Sequence, residues 1–267
     1  MSWFTRRLYA SPAPGAGVWW GSTTIGIVAE NADTAQSILI VVAHPDDCDF
    51  GCAGSTARWT SEGRAVSYCI ITDGEAGGSD RSMSRTEMAR TRRIEQTAAA
   101  AAVGVTDIAF LGYPDGQVQA TIELRRDITR VIRQRRPERV VTQSPERNYQ
   151  RIFASHPDHL AAGEAALSAV YPDSRNPFAH MQLLEQEGLE PHTVGEVYLT
   201  AMAQGDTVVD ITDTLDAKLA ALKCHASQYG NWDELAERIR GWARLTAEQN
   251  GLGEGRSAES FLRVPTG

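Results

Sequence analysis

Two hydrophobic rhythms alternate along the chain. Continuous apolar runs rich in β-branched residues, "SILIVVA" (37–43), "RAVSYCIIT" (64–72), "TDIAFLG" (106–112) and "ERVVTQS" (138–144), read as strands buried on both faces. Segments of helical spacing separate them. "GSTARWTSEG" (54–63) suits a short helix closed by Gly63, and residues 85–103 form an alanine-dense helix stopped by Gly104. "ATIELRRDITRVIRQRR" is helical up to Pro137, and "HPDHLAAGEAALSAVY" is helical after the fourth strand. An irregular piece, "PDSRNPFAHMQLLEQEGLEP", comes next. Two more strands (193–201 and 206–212) and two helices, "LDAKLAALKCHASQYG" and "NWDELAERIRGWARLTAEQNG", complete the pattern.

Such alternation predicts right-handed βαβ units and a mainly parallel sheet with helices on both faces. The expected fold class is α/β, a Rossmann-like three-layer sandwich. Residues 37–267 read as one domain without internal repeat or boundary. Residues 1–36, broken repeatedly by Ser, Pro and Gly, read as an N-terminal extension whose Trp19-Trp20 edge packs onto the body.

Composition narrows the partners. A chain of 267 residues with 42% hydrophobic and 22% charged residues is ordinary for a globular protein. The net charge of −8 argues against nucleic acid or an anionic membrane surface as the main partner, while leaving small anionic substrates open. No run approaches the ~20 apolar residues of a membrane helix. The start, with Arg6 and Arg7, lacks the uninterrupted apolar stretch of a signal peptide, so a cytoplasmic location is the default expectation. Cys48, Cys52, Cys69 and Cys224 include no Cys-x-x-Cys pair and read as small apolar residues rather than disulfides or zinc thiolates. Neither a G-x-G-x-x-G following a strand nor a G-x-x-x-x-G-K-[ST] occurs.

Polar groups accumulate where a parallel sheet gathers its ligands, at the strands' carboxyl ends. His44, Asp46 and Asp47 follow the first strand, Asp73 and Glu75 the second, and Asp115 the third. Pro45 biases His44 toward extended geometry, so residues 44 and 47 of a tight turn can face one point, with Asp46 offset. Beyond the fourth strand, "SHPDHLAAG" (155–163) adds His156, Asp158 and His159. Together the clusters offer two histidines and a carboxylate, with a spare imidazole and a spare carboxylate. That set suits a catalytic metal with an open position. Either cluster alone reads more readily as a helix cap; two of them at strand exits favour the metal.

These residues carry a resemblance. "AHPDDCDFGCAG" with "HPDH" resembles the LmbE-like, PIG-L type, zinc-dependent N-deacetylases, over most of residues 38–263. Supporting pieces are "TDGEAGG", "RTRRIEQTAAAAAVGV", "FLGYPDG", "RPERVVTQ", "YPDSRNP" and "HASQ". The resemblance implies one zinc ion per chain, or another divalent metal, on His44, Asp47 and His159. It implies Asp46 as general base and His156 as donor to the oxyanion or the leaving amine, with Asp158 as the partner that keeps His156 charged. It implies Arg92 and Asp115 as sugar contacts, although Arg92 with Glu95 also reads as a surface pair three residues apart. Glu75 is a further candidate near the metal, and Arg175 with Asn176 lies in a loop that could cover the site. His225 and Gln228 match a late motif that packs or positions. Two departures stand out: Asp49 replaces a usual Glu, and Ala154 stands where some sugar deacetylases carry Tyr.

The implied activity is hydrolytic removal of an N-acetyl or N-acyl group from an N-acetylglucosamine-type sugar or glycoconjugate. A metal-dependent phosphoesterase and a non-catalytic metal- or sugar-binding module are the alternatives. Loops 73–90 and 172–192 would select the rest of the substrate, and a homo-oligomer is one option for the assembly.

Overall fold

The computed structural model describes residues 34–149, 152–200 and 205–267. The proposed extension falls almost wholly outside the described residues, Trp19 and Trp20 included. Strand β1 (Ser37–Val42) is flanked by β2 (Ala65–Thr72) on one side and β4 (Arg139–Gln143) on the other. β3 (Asp107–Tyr113) lies outside β2, and β5 (Glu196–Thr200) outside β4. All four pairings among these strands are parallel.

The predicted alternation therefore builds the predicted sheet. Helices α1 (Asp47–Ser61), α2 (Arg85–Ala102) and α3 (Ile122–Arg135) connect the strands, and α4 (Pro157–Ser168) follows β4. Side-chain alternation sends Ile38, Ile40 and Val42 to one face, against α1 and α2. Leu39 and Val41 go to the other face, against α3 and α4. Those two cores make three layers. Capping fixes the helix starts: the Ser84 side chain accepts from the Glu87 amide in a full capping box, and Thr121 caps α3 through the Leu124 amide.

Four details differ from the sequence reading. α1 begins at Asp47 rather than Gly54, because its glycines allow close packing: a Cβ on Gly54 would lie 2.7 Å from Ile211. A short helix, α5 (Met181–Glu185), interrupts the irregular piece. β6 (Thr207–Asp210) precedes α6 (Leu215–Lys223), which stops before the His225 segment, and α7 (Trp232–Gln249) follows. Finally, β7 (Ala258–Pro265) inserts antiparallel between β5 and β6, a strand the sequence reading lacks. It carries Glu259, which is buried, pairs with Lys218 at 2.5 Å and also accepts the Gly54 and Ser55 amides. No helix among the described residues is long and apolar enough to cross a membrane.

The strand order reverses between β1 and β4. The carboxyl ends of strands at such a switch point are where α/β sheets bind ligands.

Candidate functional site

The chain leaves β1 into His44 and turns at Asp46, whose φ of 85° is left-handed. For a non-glycine residue this costs about 1–3 kcal/mol, so the surroundings must hold it. The Asp46 amide donates to Gln96 Oε1 at 2.7 Å. Arg92, buried on α2, donates to the Pro45 and Gly74 carbonyls and to Asp46 Oδ2 at 3.0 Å. Tyr229 donates to the same Oδ2 at 3.1 Å. Among the described residues Oδ1 receives no donor. Burial raises the Asp46 pKa to about 6, with the Arg92 charge as the main opposing influence.

Asp47 joins the two histidines predicted as its fellow ligands. Its Oδ2 lies 3.1 Å from His44 Nδ1, and its Oδ1 lies 3.0 Å from His159 Nε2. His156 completes the group: ring centroids stand 5.1 Å apart for His44–His156, 5.2 Å for His44–His159 and 5.3 Å for His156–His159. One ring nitrogen from each of the three lies within 4.8 Å of the others.

The second nitrogen of His44 faces two more carboxylates. Nε2 is 3.1 Å from Asp158 Oδ2 and 3.1 Å from Asp115 Oδ1. Burial opposes a charge on this ring, but the three aspartates overcome it and raise its pKa to about 12. Burial likewise opposes ionisation of Asp47, yet His159 and His44 hold its carboxyl well below the usual range. Asp115 and Asp158 are also held low against burial, chiefly by His44. For His159, burial is outweighed by Asp47 and the pKa rises; for His156, burial and the two neighbouring rings push it down.

Negative charge dominates this cluster, with Asp46, Asp47, Asp115 and Asp158 around a small set of imidazoles. Mixed nitrogen and carboxylate donors at such spacing fit a divalent cation of the zinc type. Among the described residues, two sets have donor atoms within 4.8 Å of one another, His44 with His156 and His159 and His44 with Asp115 and Asp158, and Asp47 touches both His44 and His159.

One expectation needs correction, and one alternative falls away. The Asp158 carboxylate does not hydrogen-bond His156 but reaches His44; His156 Nδ1 instead accepts the Asp158 backbone amide at 3.2 Å, as the cap of α4. Arg92 and Glu95 do not pair on the surface: Arg92 turns under Asp46, and Glu95 binds the Ser227 amide at 2.8 Å. Arg92 and Asp115 are 4% and 8% exposed, so neither projects into open space.

The remaining candidates take supporting positions. Glu75 accepts the Asp115 amide at 3.0 Å and pairs with Arg85. His225 is fully buried against Asp49 at 2.9 Å, and Gln96 bridges Asp49 to the Asp46 turn. The shorter Asp49 thus keeps an imidazole partner. Gln228 binds Ser227, and Arg175 reaches the carbonyls of Val194 and Thr266, away from the cluster's hydrogen bonds. Tyr229 and Gln96 were missed by sequence reasoning. The only available signal was their place in the quoted stretches, Tyr229 directly after "HASQ" and Gln96 in "RTRRIEQTAA". Cys48, Cys52, Cys69 and Cys224 are free, and the first three are buried.

Comparison with known proteins places this arrangement among relatives. The family described as PIG-L: GlcNAc-PI de-N-acetylase matches residues 39–170. A diacetylchitobiose deacetylase of Thermococcus kodakarensis is 33% identical over 89% of this chain and 86% of its own length. A 1D-myo-inositol 2-acetamido-2-deoxy-alpha-D-glucopyranoside deacetylase of Rhodococcus erythropolis is 28% identical over 73% of this chain and 82% of its own. Among solved structures, the N,N'-diacetylchitobiose deacetylase of Pyrococcus horikoshii superposes with a TM-score of 0.81 at 31% identity, covering 89% of this chain and 86% of that one.

Proposed function

The chain belongs to the PIG-L family, and from that premise we propose that it is a zinc-dependent hydrolase of the acetamide group of N-acetylglucosamine-type sugars. One observation carries the reading. His44, Asp47 and His159 converge across 115 residues of sequence (159 − 44), beside an aspartate with one oxygen held and the other open.

When bound, zinc polarises an amide carbonyl and acidifies a water molecule beside it. The residues supply the proton traffic. Asp46 Oδ2 is fixed by Arg92 and Tyr229, so Oδ1 is the atom that takes the water's proton. Burial and the neighbouring His44 and His159 rings push the His156 pKa down, which favours its neutral form. Its Nδ1 accepts a backbone amide, which places its proton on Nε2. A neutral Nε2–H then donates to the developing oxyanion. Collapse requires a proton on the sugar nitrogen, and the newly protonated Asp46 delivers it. Acetate and a free amine leave. Arg92 and Asp115 act by positioning Asp46 and His44 rather than by touching sugar hydroxyls.

The test is amine release from N,N'-diacetylchitobiose and other N-acetylglucosamine conjugates, with chelator and then zinc add-back. Chelator abolishes release and zinc restores it. Asp46→Asn keeps its zinc and loses about 10²–10⁴ in kcat, the usual worth of a positioned base. Wild-type turnover in Asp46→Asn removes the base assignment; turnover indifferent to chelator removes the metal.

A further inference from the structure

We propose that Asp115 and Asp158 form a positioning pair that keeps the His44 proton on Nε2 and so presents Nδ1 as the metal donor. The proposal rests on the metal reading above and goes beyond it by assigning the donor atom and two residues that select it.

Each carboxylate is built the same way. Asp158 Oδ1 accepts the Val118 amide at 3.2 Å, and its Oδ2 accepts the Gly116 amide at 2.7 Å while facing His44 Nε2. Asp115 Oδ2 accepts the Ala76 amide at 3.0 Å, leaving Oδ1 to face the same Nε2. Backbone amides from the turns after β2 and β3 thus anchor both acids before either meets the ring. Three strand exits and the first turn of α4 meet on one imidazole nitrogen.

Two acceptors on one nitrogen demand a hydrogen there. A neutral imidazole carries one ring proton, so Nε2–H leaves the lone pair on Nδ1. Nδ1 faces Asp47 Oδ2 at 3.1 Å, so without an ion both nitrogens meet carboxylates; the proton a divalent ion would displace is the one on Nδ1, where Asp47 also reaches His159 Nε2. The tautomer that satisfies Asp115 and Asp158 is therefore the one that points a lone pair toward the other two ligands. A carboxylate behind a ligating imidazole also raises its basicity, and losing such a partner typically weakens metal binding about 10–100-fold.

A rival arrangement uses the same atoms. His44, Asp115 and Asp158 could themselves surround an ion on the Nε2 side, since their donor atoms lie within 4.8 Å of one another. The backbone anchors weigh against it: Asp158 Oδ2 and Asp115 already occupy amide donors in the geometry that aims them at a hydrogen.

The nitrogen shifts of His44 decide between the two. Long-range ¹H–¹⁵N correlation on the zinc-loaded, unsubstituted protein should show Nε2 protonated and Nδ1 carrying the metal. The opposite pattern overturns the proposal without any variant. Zinc affinity, read by competition with a chromophoric chelator, supplies the second measurement. Asp115→Asn can satisfy His44 or the Ala76 amide with its oxygen, not both, so affinity should fall about 10-fold; the Asp115→Asn, Asp158→Asn double variant should approach 100-fold. Unchanged affinity in a folded double variant overturns the proposal. Failure of the unsubstituted protein to take zinc overturns it together with the metal reading. Correct nitrogen shifts without amine release leave it standing and bring down the deacetylase reading alone.

Discussion

At the scale of single residues, the site depends on backbone geometry as much as on ligands. Arg92 holds the strained Asp46 turn by gripping the Pro45 and Gly74 carbonyls, and Gly74 itself has a φ of 64°. A methyl at Gly74 would fall 2.2 Å from Arg92 Nη1, a distance no real contact reaches. Gly188, with a φ of 67° and open space around it, is the natural control. Gly74→Ala and Gly188→Ala both bear the left-handed penalty of about 1–2 kcal/mol. Only Gly74→Ala should also displace Arg92 and depress kcat. Equal kcat in the two variants, at matched zinc content, would show that Arg92 does not position Asp46. Sequence could name the acids and histidines here, because His44, Asp46, Asp47, His156 and His159 follow strand exits in short motifs. It could not pair them. The His44–Asp158 and Asp46–Tyr229 contacts join residues 114 and 183 positions apart, and periodicity carries no information at that range.

The elements were legible wherever burial is one-sided or uniform. β1, β2, β4 and β5 are buried along nearly their whole length and read as apolar runs. α3 presents Leu124, Ile128, Val131 and Ile132 to the core at helical spacing. β7 was hidden because its buried positions include Glu259, whose charge is satisfied by Lys218 and by two α1 amides that no local pattern announces. α1 was started late because its N-terminal half holds acids and glycines with little intrinsic helix preference, and tertiary packing overrides that preference. α3 offers a test of what stabilises a helix of this kind. Removing its cap with Thr121→Ala should cost about 1 kcal/mol. Ile128→Ala, at a fully buried position, should cost about 2–5 kcal/mol through lost burial and a cavity. Denaturant midpoints at constant m-value measure both. A cap loss as large as the core loss would mean that local capping, not packing against the sheet, sustains α3.

For the whole molecule, the topology explains why two distant motifs share one centre. β1 and β4 are neighbours across the point where strand order reverses, so whatever follows each is delivered to the same rim. The rim then places Asp47, Asp115 and Asp158 each 3.1 Å from His44, with Asp46 in the same turn. On the proposed zinc reading, that concentration couples metal binding to global stability. A cation that binds the folded chain and not the unfolded one adds about 2.7 kcal/mol at a hundredfold excess over its dissociation constant. For a chain of this size each kcal/mol moves Tm by about 2–4 °C, so stripping the ion should lower Tm by about 5–10 °C. The sign is fixed: chelator can only lower Tm, and zinc above the protein concentration must restore it. Calorimetry of the metal-loaded, chelated and reloaded protein reads the shift directly. His159→Ala, which deletes one of the three proposed ligands, should unfold near the chelated wild type and respond little to chelator. A wild-type Tm indifferent to chelator would mean that the four aspartates are balanced by the protein's own imidazoles and arginine, and that the rim holds no ion worth the name.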